Sequence, residues 1–529
     1  MPQEQKSRKS GKKSSAENQE KSGPDFVFFL LLLFFPPLIF FTEITRNPYI
    51  IQNLVFQTGI GILLLWKLIR SRGIISLPKT PADRPLALWG GYILLSIFCS
   101  LVLYPEHRDA FFSFWRGRII FFLFNALAVY YLSAHYSRSS RQLDRIFYTV
   151  IFASTLSSFY ALMQYSGNEF IWPQNLHHYG SRAVSTFGNP NFLSSYLLVV
   201  NMILLYLFFR RKGGTSVLFL LFFNLFALLI TQTRSSWFGF LVSAILFIIL
   251  AAPGLRGLSR KISLLAGLAI LTVLVFPRLA YLKDHPQVWD RILDARRFDS
   301  AATAQAVRQR LMIWEAAWKI FKDSPLLGHG WGSFELLYPY KQGELLLKRK
   351  IYTPYRTHAN NTHNEIMEVL SQTGAAGLLL YAFLWYVFFS SLFRARRSDG
   401  SGLILLSLSV AAGYFTDNLL NVTLHFPMPA ILFWMLCGIG MGRCTEDKYN
   451  IDLKKYFPFL MTVGSAAALF FFIFQVHLWL GEVYYFTGFK TSRLPGRLEE
   501  SVKWCRRSWE MYPYNVDNNY EMGNSYARL

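Results

Sequence analysis

The chain has 529 residues, of which 53% are apolar, 17% aromatic and only 16% charged, against roughly 25% charged in an average soluble protein. This excludes a disordered chain and weighs against a soluble enzyme. The excess of 54 Lys and Arg over 31 Asp and Glu, a formal charge of +23, would suit a nucleic acid, but the basic residues sit in short clusters between long apolar runs, which is a membrane pattern. Cys99, Cys437, Cys444 and Cys505 lack any close spacing and so give neither a disulfide framework nor a metal signature.

In chain order, residues 1–24 are polar and lysine-rich and read as a disordered basic tail on the cytoplasmic side. The first apolar run contains Pro36-Pro37 and is followed by no small-residue cleavage site, so it is expected to stay as a kinked helix rather than leave as a signal peptide. Candidate spans follow at 26–45, 50–69, 86–104, 118–134, 146–164, 191–209, 216–232, 234–251, 262–278, 374–393, 403–422, 427–442 and 456–479. A helix needs about 20 apolar residues to cross the hydrocarbon core, and in lipid such runs must be helical to satisfy their own backbone. The expected fold is therefore an all-α integral membrane protein with about 12–13 transmembrane helices, its membrane core spanning 25–480.

Charge alternation supports that count. With the N-terminus inside, the inner loops carry Arg70, Arg72, Lys79 and Arg84, then Arg138, Arg141 and Arg145, then Arg210, Arg211 and Lys212, then Arg256, Arg260 and Lys261, then Arg394, Arg396 and Arg397, and finally Arg443, Lys448, Lys454 and Lys455. The outer loops hold Arg46, Arg182 and Arg234 singly; the loop with Arg108 and Arg116 is an exception. This predicts a multi-pass membrane protein with a large loop on the outer, periplasmic side at 279–373 between spans 9 and 10. Within that loop Leu311, Trp314, Trp318 and Phe321 form an apolar helical stripe ended by Asp323-Ser324-Pro325, expected to lie on the membrane surface or on the outer ends of the spans. Beyond it, 481–529 reads as two short amphipathic helices joined at Met511-Tyr512-Pro513, a tetratricopeptide-like start in the periplasm that breaks off in mid-pattern at Leu529.

Four outer stretches could carry chemistry. Thr186-Phe187-Gly188-Asn189-Pro190-Asn191 has a structural reading as a turn with Asn191 as helix N-cap. Thr231-Gln232-Thr233-Arg234-Ser235-Ser236 puts an arginine at the membrane edge, either snorkelling or holding an anion in a cavity. Arg308 and Arg310 lead through Trp314 to Pro325-Leu326-Leu327-Gly328-His329-Gly330, a glycine cluster that reads as a flexible turn and not as a P-loop. Arg356-Thr357-His358 leads to Thr362-His363-Asn364-Glu365, where Thr362 and Glu365 match a capping box. That box would set His363 at the first helical position, where the helix dipole favours neutral imidazole able to accept a proton. The alternatives are a histidine that merely neighbours a cap, or a metal site with His358; the five-residue spacing without His-Glu-x-x-His speaks against a metal.

In order and topology these stretches resemble the O-antigen ligase and polymerase superfamily of membrane glycosyltransferases, over roughly residues 25–480. The carriers are Phe187 to Asn191, Thr233 to Ser236, Arg310 with Trp314 ahead of Pro325-Leu326 and Gly328-His329-Gly330, and His363-Asn364-Glu365 with Glu368 and the Gly374-to-Gly377 entry to a span. The resemblance implies a GT-C-like helical fold and transfer of a glycan from an undecaprenyl-diphosphate carrier to an acceptor hydroxyl at the periplasmic face. It implies Arg234 and Arg310 as diphosphate-binding arginines and His363 as the catalytic histidine, with Arg356, Asn189, Asn191 and Asn364 as further substrate contacts and no metal or cofactor. The expected partners are the lipid-linked donor, a glycan, lipid or protein acceptor, the membrane itself, and a protein docked on the C-terminal helices. Relatives carry out ligation to lipopolysaccharide core, glycan polymerisation and protein O-glycosylation, so the resemblance leaves the acceptor open. Two readings of other classes are a lipid-linked-glycan transporter, for which no inverted repeat is visible, and a membrane scaffold presenting the C-terminal repeats.

Overall fold

The computed structural model describes residues 23–41, 43–105, 124–171, 179, 182–210, 214–254, 258–281 and 301–529. The basic tail 1–22, the loop with Arg108 and Arg116, and part of the large loop, 282–300, lie outside the described residues. The first half of the chain gives α1 (Pro24–Phe34), α2 (Pro48–Ser71), β1 (Ile74–Pro78), α3 (Asp83–Leu103), α4 (Leu127–Tyr136), α5 (Ser140–Ser166), α6 (Pro190–Arg210), α7 (Thr215–Ile230), α8 (Arg234–Ala251) and α9 (Leu258–Tyr281). The second half gives α10 (Ala301–Asp323), α11 (Phe334–Lys348), α12 (Glu365–Ala395), α13 (Leu403–Asn418), α14 (Pro427–Gly442), β2 (Lys448–Asp452), α15 (Phe457–Thr491), α16 (Leu498–Met511) and α17 (Val516–Arg528). Among the described residues seven helices are long and apolar enough to cross a membrane, and four shorter apolar helices accompany them. The protein is a mostly helical membrane protein.

Several starts are set by proline in the first turn, as in α1, α2 and α14, where its fixed φ suits the helix and its missing N–H is not needed. The centre of the bundle is α6, apolar on every side and buried from Leu193 to Phe209; such a helix can only sit in a core. It is enclosed by α5, α7, α8, α13 and α14. Outward-facing side chains such as Phe98, Leu379, Tyr386 and Phe459 are exposed and apolar, as lipid contact requires.

α8 and α13 cross closely because both carry glycine at the contact. A Cβ on Gly239 would lie 2.5 Å from the carbonyl oxygen of Gly413, and small residues at such crossings let backbones approach. Beside this crossing the buried carboxylate of Asp417 accepts hydrogen bonds from Ser195 Oγ at 2.5 Å and Ser236 Oγ at 2.9 Å. Ser236 of the Thr-Arg-Ser-Ser stretch is thus a packing residue.

The first β-pairing in a chain expected to be all-α joins β1 to β2 antiparallel, with Ile75 opposite Ile451. The strands are five residues each, too short and too exposed for periodicity to mark them. They lie at the end of the bundle where α2 finishes and α15 begins. Arg138 donates to the carbonyls of Glu446 and Asp447, and Arg443 to that of Ser137, at the same end.

The described part of the large loop, from 301 on, is largely helical and packs on the start of α12. Its buried face is Met312, Ile313, Ala316, Ala317 and Ile320, whereas Leu311 and Trp318 are 47% and 44% exposed. The stripe read from sequence was therefore rotated off the true core face, because small alanines rather than tryptophans fit against α11 and α12. The tail forms two helices, α16 and α17, packed on the far end of α15. Ser501 Oγ donates to the Gly488 carbonyl at 2.9 Å and Ser508 Oγ to the Gly481 carbonyl at 2.7 Å.

Candidate active site

The start of α12 is held from three directions. Trp314 of α10 donates from Nε1 to the carbonyl of Thr362 at 2.9 Å. The Thr362 N–H donates to Glu368 Oε2 at 2.6 Å, and Gln372 Nε2 donates to Glu368 Oε1 at 2.6 Å. The Gly332 N–H donates to Gln372 Oε1. Below this network α12 is broken at Gly374, whose φ is 66°. Segment 325–330 docks into the break: the Gly330 N–H donates to the Gln372 carbonyl at 2.9 Å, and the Ala375 N–H donates to the Pro325 carbonyl at 2.8 Å. Tyr92 of α3 donates to the freed Thr373 carbonyl at 2.8 Å. The glycine cluster expected as a flexible turn is instead a splint that satisfies a broken helix, as backbone at membrane depth must be.

The cap of α12 differs from the sequence expectation. Asn364, not Thr362, is the N-cap: its Oδ1 accepts from the Met367 N–H at 3.0 Å, and its Nδ2 donates to the Leu419 carbonyl at 2.9 Å. Asn is at least as good a cap as Thr, and Glu365 is drawn inward, away from any capping box. It accepts from Tyr381 Oη at 2.9 Å and from His425 Nε2 at 3.0 Å. Both amide atoms of Asn364, expected to touch substrate, are thus spent on holding the helix start.

His363 consequently precedes the helix, with a left-handed φ of 52°, unusual for a residue with a Cβ and a type of strain that clusters at functional sites. Its Nδ1 is buried without a hydrogen-bond partner. Burial, and after it the nearby Arg310 guanidinium, together lower its pKa to about 4. The imidazole is neutral, but from desolvation and a cation rather than from the helix dipole. Arg310 lies one turn before Trp314 on α10, on the same face, and burial lowers its pKa as well. Among the described residues no carboxylate pairs with it.

His363 lines a cavity of about 330 Å³ together with Arg46, Tyr179, Asn189, Asn191 and Asp517. Asn189 rather than Asn191 takes the first bond of α6, its Oδ1 accepting from the Asn191 N–H at 2.9 Å. Asn191 Oδ1 instead accepts from Arg182 Nη2 at 2.9 Å, and the same nitrogen donates to Thr233 Oγ1 at 2.8 Å. Arg182 Nε donates to the Thr231 carbonyl at 2.9 Å. The arginine that staples the two turns together is therefore Arg182.

Arg234 stands exposed at the first residue of α8 and does not line this cavity. Arg356 is exposed and lies outside it too, while His358 is exposed at its edge. Among the described residues no three His, Cys, Asp or Glu are placed to hold a metal ion, so the pairing of His358 with His363 gains no third ligand. Sequence reasoning missed Arg46, which donates to Tyr485 Oη at 2.8 Å, and it missed His425 and Asp517. Each comes from a distant segment with no local motif. The lone arginine ahead of Asn47-Pro48, at the start of a long apolar helix, was the one available signal.

Residues 217–382, from α7 to the first turns of α12 past Gly374, match the family model described as O-antigen ligase. This stretch is similar to the O-antigen ligase superfamily. The chain is similar to the ComP-specific O-oligosaccharyltransferase of Acinetobacter baylyi, at 24% identity over 419 residues, which cover 77% of this chain and 70% of that protein. It is also similar to the general O-oligosaccharyltransferase of the same organism, at 22% identity over 319 residues, covering 59% of this chain and about half, 53%, of that relative. The matched family region contains Arg234, Arg310 and His363, and a glycan-transferring membrane enzyme is the activity that family and relatives have in common.

Proposed function

We propose that this enzyme transfers a glycan from an undecaprenyl-diphosphate carrier to an acceptor hydroxyl at the periplasmic face of the inner membrane. The observation that carries this reading is His363: a neutral imidazole with a buried, unpartnered Nδ1, set beside the unpaired charge of Arg310 and open to a polar cavity. The acceptor oxygen attacks the anomeric carbon as the carbon–oxygen bond to diphosphate breaks. The bonding pair leaves on the diphosphate oxygen, and the hydroxyl proton passes to His363. Attack opposite the leaving group inverts the anomeric configuration. Arg310 offsets the charge that grows on the diphosphate, a task for which the always-charged planar guanidinium is suited. Arg234, exposed beside the Arg182 staple, is the proposed second contact at the rim, with Asn189 and Asn191 meeting the glycan.

The names of the two relatives favour transfer of an oligosaccharide to a separate acceptor over polymerisation. The direct test supplies purified enzyme with lipid-diphosphate oligosaccharide and, in parallel, a serine peptide and a lipid-linked glycan as acceptors. Glycan appearing on either acceptor, with the anomeric configuration inverted, supports the reading. Movement of intact carrier across vesicles without transfer supports a transporter instead.

A further inference from the structure

The cavity of His363 has a neighbour of about 200 Å³, and Asn47, Tyr49, Asn360, Phe426 and Asp517 border both. The two spaces differ in charge. The His363 cavity has Arg46 as well as the shared Asp517 on its wall and Arg310 close to His363, and the two guanidiniums suit a diphosphate. The neighbouring cavity is lined by Glu335 and Glu482 besides Asp517 and, among the described residues, by no lysine or arginine, so it disfavours a diphosphate. Part of its wall is the segment Tyr512 to Asp517, the turn between α16 and α17 with the first residues of α17, which follows the long helix α15 in the chain. One further residue on its wall is held with unusual firmness. His425, 9% exposed, donates from Nε2 to Glu365, which is 3% exposed. Its ring stacks on Trp331 with centroids 4.8 Å apart and planes at 18°. The buried carboxylate fixes the tautomer, since with Nε2 protonated Nδ1 is the accepting nitrogen. Tyr381 donates to the other oxygen of Glu365 at 2.9 Å and so holds the carboxylate in turn.

We propose that this neighbouring cavity is the acceptor subsite, in which His425, held by Glu365, orients the acceptor hydroxyl toward His363, and that the Tyr512–Asp517 stretch admits an acceptor segment that is uncharged or cationic. The inference rests on the transfer reaction proposed above and adds its second substrate site. His425 and Glu365 act as positioning residues, with the proton still passing to His363. The carboxylates of the wall disfavour a phosphorylated acceptor, and the aromatic side chains Tyr49, Tyr512 and Tyr514 offer flat apolar faces to a polypeptide segment carrying a hydroxyl.

The test uses the full chain in nanodiscs, undecaprenyl-diphosphate oligosaccharide as donor, and a serine peptide flanked by lysines or the same peptide flanked by phosphoserines. His425→Ala and Tyr514→Ala are expected to raise the KM for the lysine peptide about tenfold or more, leaving the donor KM within about twofold. Glu365→Gln keeps an accepting oxygen for His425 and gives a smaller rise. Asp517→Lys, in the first turn of α17 on the wall of this cavity, lowers the preference for the lysine peptide over the phosphoserine one. Loss of kcat with unchanged peptide KM, or a phosphoserine peptide used as well as the lysine peptide, would overturn the subsite. Transfer only onto lipid-linked glycan would overturn it as well, while leaving the transfer reaction standing. Full activity of His363→Ala alongside a raised peptide KM in His425→Ala would instead sink the base assignment and keep the subsite.

Discussion

His363 has a neutral ring and, among the described residues, a buried nitrogen with no partner, as a proton acceptor needs, on a backbone with a left-handed φ of the kind found at functional sites. With the pKa lowered to about 4, the base is ready at neutral pH. Activity measured as kcat/KM should be flat in this group above about pH 5 and fall as pH drops through about 4, because protonation removes the acceptor lone pair. Arg310→Ala removes one of the two causes of that depression. The acid limb should move upward in this variant yet stay below the ordinary histidine range, since burial is the larger cause. Its rate should fall by roughly 10²–10³, the usual cost of losing one charge-stabilising donor, and Arg310→Lys should recover little, because a point charge lacks the planar fork. A pH profile of the two variants checks both statements, and an acid limb that stays put in Arg310→Ala would separate the arginine from the histidine. At this scale the motifs singled out His363 and Arg310 as candidates, but the reason for neutrality was hidden, since desolvation depends on neighbours brought in from α10 and not on the helix start.

The broken helix α12 is the element on which the site is built. Gly328 and Gly374 both have φ near +67°, at 68° and 66°, and their backbones meet so closely that a Cβ on Gly374 would lie 2.4 Å from the Leu326 carbonyl oxygen. Gly374→Ala therefore forces strain and pushes the splint out of the break. A cost of about 1–3 kcal/mol is expected from the backbone conformation alone, with a lowered melting temperature and loss of transfer, because Gln372 and Glu368 carry the strain to Thr362. Gly267→Ala in α9, where nothing lies within 4 Å, is the matched control and should leave melting unchanged or slightly raised. Equal thermal stability of the two variants would mean that the docked loop is not a splint. The long apolar helices were legible because their length exceeds anything a soluble core uses. The break was not, since glycine at a span entry is also common in unbroken membrane helices, and the register of α10 was misread because alanines carry little weight in an apolar stripe.

For the whole molecule, one helix joins the two ends. α15 runs unbroken for 35 residues, about 50 Å at 1.5 Å per residue, from the β-pairing at one end to the tail helices beside the site at the other. That exceeds the roughly 30 Å of the hydrocarbon core, so the exposed Lys448 and Lys503 should face opposite aqueous phases. Native Cys505 is buried and a poor reporter, so the cysteines are best introduced as Lys448→Cys and Lys503→Cys in a background without the native four. An impermeant thiol reagent on spheroplasts should label position 503 alone. Labelling at 448 alone would invert the orientation, and labelling of both would remove the crossing. The basic loops pointed to this arrangement from sequence alone, because charge alternation is a property of the chain rather than of its packing. The joining of Arg46, Asp517 and His363 in one cavity was not readable, since more than 450 residues separate the first two in the sequence. The account as a whole depends on one measurement, glycan transfer by purified His363→Gln set against wild type at saturating donor and acceptor. The glutamine keeps a hydrogen-bonding side chain but takes no proton, so transfer should fall by roughly 10²–10⁴ while donor binding stays within a few-fold of wild type. A variant that retains most of the wild-type rate would contradict the account, and Glu368 would then be the next proton acceptor to test.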